Sequence, residues 1–317
     1  MPGGHAQTTK LEHGITAVDT EYDRPLHDAS HLINEGGKAA FVDTGVNDSV
    51  PLLLDALARQ GLEPGDVEFV FVTHVHLDHA GGAGSLMREL PNARCVLHPR
   101  GAPHMIDPAK LVAGTEAVYG KEKARRLYGV IRPIAEERVV VAEDEQWFDL
   151  NGRQLQVLFT EGHARHHYVL NDPASRGVFT GDSFGVSYRE HDTVNGPTVF
   201  PTTTPVHFDP DEAHKAVDRI MALEPEQLYL THYSRVTDVE RLAAEMHAAL
   251  DAYVAMALAH ADDPDRREAL QASLLEFYAE RLGAHGYTGD IDSVASSMHV
   301  DIPLNAQGLE VWLDRQQ

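Results

Sequence analysis

Three histidines and one aspartate occur within six residues of this chain, in the stretch FVTHVHLDHAGG. His74 and His76 point to the same side of an extended chain, because residues two apart share a face. They can therefore bind one ion together, whereas Asp78 and His79 follow in a predicted turn and can face a second ion. Imidazole and carboxylate donors suit zinc, iron or manganese better than calcium or magnesium.

Further residues of the same types stand where later strands are predicted to end. One short loop cannot complete the coordination of two ions, so a two-ion site requires ligands from elsewhere in the chain. The candidates are His163, Asp182 and His232. Because α/β sheets place functional groups at the carboxyl ends of their strands, we expect these side chains to join the histidine cluster.

The elements that must position these residues alternate between strands and helices. Apolar or alternating segments bounded by turn residues predict the strands that precede the candidate ligands: Val67–His74, Arg153–Thr160, Gly177–Asp182 and Gln227–His232. Helical patterns occur at residues 50–60, 84–90, 108–127 and 210–223. Asp209, Pro210 and Glu212 are typical of the start of the last of these helices.

Near Thr237 the pattern changes to helices alone. Thr237 and Glu240 are typical of a capping box, a second helix is predicted from 263 to 283, and a third covers Leu309–Leu313. We therefore predict two domains, a catalytic domain over residues 1–237 and a C-terminal helical region over residues 238–317.

The motifs resemble those of the metallo-β-lactamase-fold superfamily, and within it the glyoxalase II-like hydrolases. The matching elements follow the family's order between residues 14 and 237: FVDTG (Phe41–Gly45), H-x-H-x-D-H (His74–His79), EGHARHH with His163, GDS with Asp182, and THYS with His232. The resemblance implies an α/β fold in which the layers form a four-layer αββα sandwich. In this chain a C-terminal helical extension would follow the sandwich. It also implies a structural role for Asp43 and a non-ligand role for His167.

The resemblance further implies two divalent metal ions, with zinc favoured and iron or manganese as alternatives. One would be held by His74, His76 and His163, the other by Asp78, His79 and His232, with Asp182 bridging both. Bound ions lower the pKa of water toward about 7 and so supply hydroxide, which can attack an acyl carbon. We therefore expect a hydrolase of esters, thioesters or lactones, with Asp78 also acting catalytically by taking up or steering the proton.

Other reactions on the same fold remain open. Diiron proteins of the superfamily reduce oxygen or nitric oxide, but usually have glutamate at the position of His76. Persulfide dioxygenases use one iron and three protein ligands, so His232 is unexpected in such a site. The sequence does not identify the substrate-binding residues, for which Tyr188, His207 and Tyr233 are weak candidates. The spacing after Asp182 does not match the glutathione-binding pattern.

Charge and composition limit the class of partner. The 317 residues carry a net charge of −23 and a single cysteine, Cys95. This charge repels nucleic acid and anionic membranes, and one cysteine forms no intrachain disulfide. No secretory signal is visible, and the apolar runs are too short to span a bilayer. We expect a cytoplasmic protein that binds a small-molecule substrate and can form a homodimer.

Overall fold

The computed structural model describes residues 5–203 and 206–316. These residues pack into two compact units. Unit 1 comprises the described parts of Met1–Phe159, His166–Gly181 and Gln227–Arg235, and unit 2 those of Thr160–Arg165, Asp182–Glu226 and Val236–Gln317. Both units are assembled from segments that are distant along the chain. The predicted domain boundary at residue 237 stays a prediction.

The described strands form two sheets. The first has seven strands in the order β1-β2-β3-β4-β5-β6-β7: β1 (Thr8–Lys10), β2 (Ile15–Asp19), β3 (Ala29–Glu35), β4 (Lys38–Val42), β5 (Val67–Phe71), β6 (Arg94–Leu97) and β7 (Val139–Val141). The second has six in the order β13-β12-β11-β10-β9-β8: β8 (Trp147–Leu150), β9 (Arg153–Phe159), β10 (Tyr168–Asp172), β11 (Gly177–Gly181), β12 (Gln227–Leu230) and β13 (Ser234–Val236). Strands β4, β5, β6 and β7 are each parallel to the next, and β11 is parallel to β12.

The α-helices begin and end as follows: α1 (Val50–Arg59), α2 (Leu77–Ala80), α3 (Ala83–Glu89), α4 (Ala102–Ile106), α5 (Ala109–Tyr119), α6 (Lys121–Tyr128), α7 (Pro210–Met221), α8 (Val239–Ala259), α9 (Arg266–Ala284), α10 (Ile291–Ser297) and α11 (Asp301–Asp314). Asp209 is the N-cap of α7, as predicted, and accepts a hydrogen bond from the Glu212 amide. The Glu212 side chain instead contacts Lys215 at 2.7 Å.

Two helices were predicted at the right place but with the wrong extent. The helix predicted over residues 108–127 is divided into α5 and α6 at Gly120, whose φ of +78° does not fit a right-handed helix. The short helix predicted over Leu309–Leu313 is part of the longer α11, and α10 precedes it. Few apolar residues recur at helical spacing in α10, which explains why periodicity did not reveal it.

One part of the core of unit 1 lies between its two sheets. Ile33, Phe71 and Val96 of the first sheet pack with Leu155 and Phe179 of the second, and all five are buried. Burying a side chain of this size contributes roughly 1.5–3 kcal/mol. The sheets therefore pack face to face.

The opposite face of the first sheet is covered by helices. Phe41, Val70 and Cys95 of β4 to β6 pack in one cluster with Leu53 of α1 and Leu86 of α3. Both faces of these parallel strands are thus buried, as the nearly apolar composition of β5 predicted. Burial raises the pKa of the Cys95 thiol to about 12, so it is a poor nucleophile at neutral pH.

Unit 2 is organised around a buried asparagine. Asn305 of α11 is 1% exposed, and its Oδ1 accepts a hydrogen bond from the Thr203 amide at 2.6 Å. Its Nδ2 donates to the Tyr278 hydroxyl at 2.8 Å and to the Pro201 carbonyl at 3.3 Å. The Tyr253 hydroxyl also donates to Pro201. This Asn305 network fastens the loop at residues 201–203 to α8, α9 and α11.

One helix among the described residues, α8, could cross a membrane by length and composition alone. It contains no continuous apolar run of that length, because polar residues interrupt an otherwise apolar helix. Its buried residues Leu242, Met246, Leu250 and Tyr253 recur at helical spacing. This pattern is equally typical of a core helix that covers one apolar face.

Candidate metal centre

His74 and His76 lie in an extended segment that follows β5. The strand ends at Phe71, three residues before the predicted end, so irregular backbone carries both histidines. Nε2 of His74 and Nδ1 of His76 are 2.7 Å apart, and Nδ1 of His74 lies 3.1 Å from Oγ1 of Thr73. The two rings thus present nitrogens to the same point, as their spacing of two residues predicted.

Asp43 fixes the surroundings of this loop. Its Oδ1 accepts a hydrogen bond from the Thr73 amide at 2.8 Å, and its Oδ2 accepts one from the Thr231 hydroxyl at 2.8 Å. Nδ1 of His79 also lies 2.8 Å from Oδ2. This Asp43 network therefore joins three segments of unit 1: the residues after β5, the short helix α2 and the residues after β12. Asp78 and His79 belong to α2 rather than to the predicted turn.

Asp78, His79 and His232 form one group of donor atoms within 4.8 Å of one another. Oδ2 of Asp78 is 3.9 Å from Nε2 of His79 and 3.6 Å from Nε2 of His232. Neighbouring ligand atoms around a tetrahedral ion, with bonds of about 2.0–2.2 Å, are separated by roughly 3.3–3.6 Å. The spacing of this group therefore suits a shared cation.

His163 and Asp182 are neighbours in unit 2. Nε2 of His163 lies 3.3 Å from Oδ2 of Asp182, and Nδ1 of His163 is 3.1 Å from the Thr202 carbonyl oxygen. Each residue follows a strand closely, since β9 ends at Phe159 and β11 at Gly181. The prediction that strand ends carry both side chains is consistent with these positions.

Gly162 explains why a glycine precedes His163. Its φ is +117°, and a Cβ at this position would lie 2.4 Å from the Ala213 nitrogen. Any other residue would collide with backbone at the start of α7. The Gly162 carbonyl also accepts a hydrogen bond from the Asp209 amide at 2.9 Å. The backbone before His163 is therefore pressed against the first turn of α7.

The donor set fits divalent metal ions. In three histidines an oxygen faces Nδ1: Asp43 for His79, the Thr202 carbonyl for His163, and the His27 carbonyl for His232, at 3.0 Å. A ring that donates from Nδ1 keeps its lone pair on Nε2, and these Nε2 atoms face carboxylates. This orientation is typical of metal-binding histidines. The roles of the seven residues as metal ligands stay predictions.

The loop between β2 and β3 also reaches this site, which sequence reasoning missed. The His27 carbonyl faces His232, and the neighbouring Asp28 is completely buried. Burial raises the pKa of Asp28 to about 7, although the nearby His232 and His79 oppose the shift. No sequence motif marks these residues, because they act through backbone and burial rather than through a ligand pattern.

Three tyrosines of unit 1 lie near Asp78. The Tyr22 hydroxyl donates to that of Tyr128 at 3.1 Å, and the rings of Tyr119 and Tyr128 are 5.9 Å apart. Burial raises the pKa of all three phenols, and the negative charge of Asp78 raises each further. This tyrosine cluster therefore places protonated hydroxyls and aromatic rings beside a predicted ligand. Its members come from distant segments, so the sequence did not reveal it.

The three weak substrate-binding candidates have different surroundings. Tyr188 in unit 2 is buried, and its hydroxyl donates to the Asp301 carboxylate at 3.1 Å. Tyr233 is buried in unit 1 against Ala17 and Ala29. His207 is partly exposed, and the Pro/Thr-rich loop before it includes residues 204 and 205, outside the described residues. His167 is buried, with its ring 4.7 Å from that of His74.

Known proteins are similar to this chain in sequence and in fold. Metallo-beta-lactamase fold-containing protein ST1585 of Sulfurisphaera tokodaii is 29% identical over 202 residues, which cover 61% of this chain and 67% of the relative. Its solved structure superposes with a TM-score of 0.64 at 20% identity, covering 97% of this chain and 100% of that chain. A hydroxyacylglutathione hydrolase of Synechococcus sp. is 31% identical over 169 residues, 53% of this chain and 51% of the relative.

The chain thus spans only about half the length of that hydrolase. The structural likeness confirms the predicted α/β sandwich with C-terminal helices. The family model described as Metallo-beta-lactamase superfamily matches residues 24–232, about two thirds of the chain. That stretch contains every predicted ligand from His74 to His232, and the chain is accordingly a member of the metallo-beta-lactamase superfamily.

Proposed function

We propose that this protein is a metal-dependent hydrolase that cleaves an ester, thioester or lactone bond of a small molecule. The observation that carries the proposal is the orientation of the predicted ligands. His79, His163 and His232 each present Nε2 toward an aspartate, while an oxygen faces the other ring nitrogen. The similarity to hydroxyacylglutathione hydrolases over about half of the chain supports hydrolysis as the reaction class.

The proposed site holds two divalent ions, for which zinc is favoured. When bound, two such ions supply hydroxide at neutral pH and polarise the acyl carbonyl. The protein's own part is to orient the ligands and to handle the proton. Asp78 is partly exposed, with 24% of its side chain accessible, and it faces both His79 and His232. It can therefore accept a proton released during attack and return it to the leaving group.

The tyrosine cluster supports an acyl substrate with an apolar or aromatic portion. The Tyr22 and Tyr128 rings pack with Val46 and Leu77, and Leu77 precedes Asp78 in α2. Tyr22 and Tyr128 are themselves buried, so the partly exposed ring of Tyr119, which packs against them, is the member of the cluster that can contact the hydrocarbon of a substrate. The proposal does not extend to glutathione thioesters, because the residues after Asp182 do not match the glutathione-binding pattern.

Metal analysis combined with a substrate panel tests the proposed function. Protein purified without added metal should contain at least two ions per chain, mainly zinc or manganese. It should hydrolyse some member of a panel of esters, thioesters and lactones. A single iron per chain, or oxygen consumption without hydrolysis, would contradict the proposal and favour an oxidoreductase.

Asp182→Ala provides the matching variant. If Asp182 bridges two ions, its loss should empty both sites and lower the hydrolytic rate by about 10³-fold, a cost of about 4 kcal/mol. Elemental analysis and initial rates measure both effects. Asp262→Ala, an exposed aspartate between α8 and α9, is the control and should change neither. A variant that keeps two ions at full occupancy would disprove the bridging role.

A further inference from the structure

Two histidines on different helices of unit 2 face each other away from the predicted ligands. Nδ1 of His214 on α7 and Nδ1 of His247 on α8 are 2.6 Å apart. The rings are parallel within 4°, with centroids 4.9 Å apart. These values place the rings edge to edge, with the two nitrogens directly opposed. We call these residues the His214–His247 pair.

A carboxylate faces the other nitrogen of each ring. Nε2 of His214 lies 3.3 Å from Oδ1 of Asp251, and Nε2 of His247 lies 3.3 Å from Oδ1 of Asp218. Each helix thus carries a histidine and an aspartate four residues later, on the same face. Each histidine meets the aspartate of the other helix, so the arrangement is reciprocal.

Counting protons shows what this arrangement requires. Two neutral imidazoles have two N–H groups between them. If both groups point at the carboxylates, the two Nδ1 lone pairs face each other at 2.6 Å and repel. A cation between the two nitrogens removes the repulsion and leaves both carboxylate contacts intact. Either a third proton or a metal ion can take that role.

We propose that the His214–His247 pair is a second metal site, which binds one divalent transition-metal ion between the two Nδ1 atoms. Imidazole donors favour zinc, nickel or copper over calcium and magnesium. The aspartates would orient the rings through Nε2, in the carboxylate–histidine–metal arrangement. Tetrahedral coordination would require the nitrogens to move from 2.6 Å to roughly 3.3 Å apart and the two rings to tilt away from their collinear arrangement.

Access and charge also favour a cation here. The histidine side chains are 28% and 32% exposed, so an ion and its remaining water ligands can reach the nitrogens. The aspartates are 77% and 74% exposed, and the chain has a net charge of −23. The site joins α7 to α8 and is independent of the proposed hydrolase activity. The ion therefore acts as a cross-link between two helices.

Zinc titration of the full chain tests this site. After chelation and dialysis, the unaltered protein should bind one more Zn²⁺ per chain than the double variant His214→Asn/His247→Asn, measured by equilibrium dialysis. The rise in Tm on adding zinc should be about 3–5 °C smaller in the variant, at a concentration roughly 100 times the dissociation constant. Equal stoichiometry and equal Tm shifts would overturn the proposal and leave a third proton as the bridging cation.

Two further variants control for non-specific binding and for misfolding. His260→Asn alters another histidine of the α8 region, which contacts Asp263 and Ser273 rather than a second imidazole. It should lose no ion, and an equal loss there would overturn the proposal. If the double variant does not fold, Asp218→Asn/Asp251→Asn keeps both imidazoles. It should weaken zinc binding by about 10–100-fold, whereas unchanged affinity would count against the site.

Discussion

Asp43 in unit 1 and Asn305 in unit 2 are both buried residues with several hydrogen-bond partners, but they act at different distances from a ligand. The Asp43 carboxylate contacts His79 directly, at 2.8 Å. Asn305 contacts Thr203, beside the Thr202 carbonyl that faces His163 at 3.1 Å. The Asp43 network therefore orients His79 through a charged carboxylate. The Asn305 network orients His163 through a loop that a neutral amide holds in place.

The difference shows that the two networks have different tasks: one sets the electronic state of a ring, and the other sets the position of a carbonyl group. A carboxylate beside Nδ1 fixes the tautomer of a ring and increases the electron density on Nε2. An amide that holds a loop fixes where the carbonyl lies, with a smaller electronic effect on the ring. Altering Asp43 should therefore change metal affinity most, whereas altering Asn305 should change stability more than metal affinity.

The largest effect is expected for Asp43→Asn. Asn tolerates the left-handed backbone at this position, where φ is +58°, so the change tests the carboxylate. An amide N–H₂ facing Nδ1 of His79 would favour the tautomer that is protonated on Nε2. Metal affinity should fall by about 10–100-fold and unfolding free energy by about 4 kcal/mol, measured by chelator competition and urea denaturation.

Ser30→Ala is the control for that variant. The Ser30 hydroxyl donates to the backbone carbonyl of Asp43 at 2.8 Å and leaves the carboxylate network unchanged. Its removal should cost about 1 kcal/mol of stability, with no change in metal affinity. If both variants lost metal equally, the carboxylate would have no special role.

A smaller effect is expected for Asn305→Ala. The substitution leaves the Thr203 amide and the Tyr278 hydroxyl without the partners they have in the Asn305 network. Unfolding free energy should fall by about 3 kcal/mol, while metal affinity falls by less than about 10-fold. Thr193→Val, which removes a hydrogen bond to the His285 carbonyl elsewhere in unit 2, should cost about 1 kcal/mol and leave metal affinity unchanged.

The smallest effect concerns a buried histidine that belongs to neither network. His31 of β3 packs against Phe179 and Tyr229, and its Nε2 has no hydrogen-bond partner among the described residues. Burial lowers the pKa of His31 to about 4, although the nearby charge of Asp43 opposes the shift. The unfolded chain therefore binds this proton more readily than the folded one between about pH 6.5 and pH 4.

Stability from His31 is thus present above about pH 6.5 and is lost as the pH falls toward 4. The loss should be about 2 kcal/mol between pH 7.5 and pH 4.5. His31→Phe should remove this part of the pH dependence, measured as the difference between urea unfolding at the two pH values. An identical difference in both proteins would show that His31 does not remain neutral inside the sandwich.

The predicted ligands, whose roles stay predictions, were found from local patterns, because they are close together in the chain or follow a strand. His74 to His79 form a dense motif, and His163, Asp182 and His232 follow β9, β11 and β12, whose existence the apolar pattern predicted. The strand ends were placed too late, since β5 ends at Phe71 rather than His74. Polar ligand residues can continue an extended backbone without joining a ladder, so pattern alone does not define the last paired residue.

The supporting residues were not predictable for a different reason. Asn305 and Thr203 are 102 positions apart, and Tyr22 and Tyr128 are 106 positions apart. Neither pair has a local signal, because tertiary packing alone brings its members together. Cytoplasmic location, homodimer formation and the small-molecule partner stay predictions from composition and family resemblance.

The separation of Thr203 from Asn305 has a consequence for biosynthesis. A ribosome that adds about 5–20 residues per second needs roughly 5–20 s to translate the 102 positions between them. Throughout that interval the loop carrying Thr202 has been synthesised but its anchor has not. We therefore expect the nascent chain to display the H-x-H-x-D-H ligands before the loop that faces His163 is held in place.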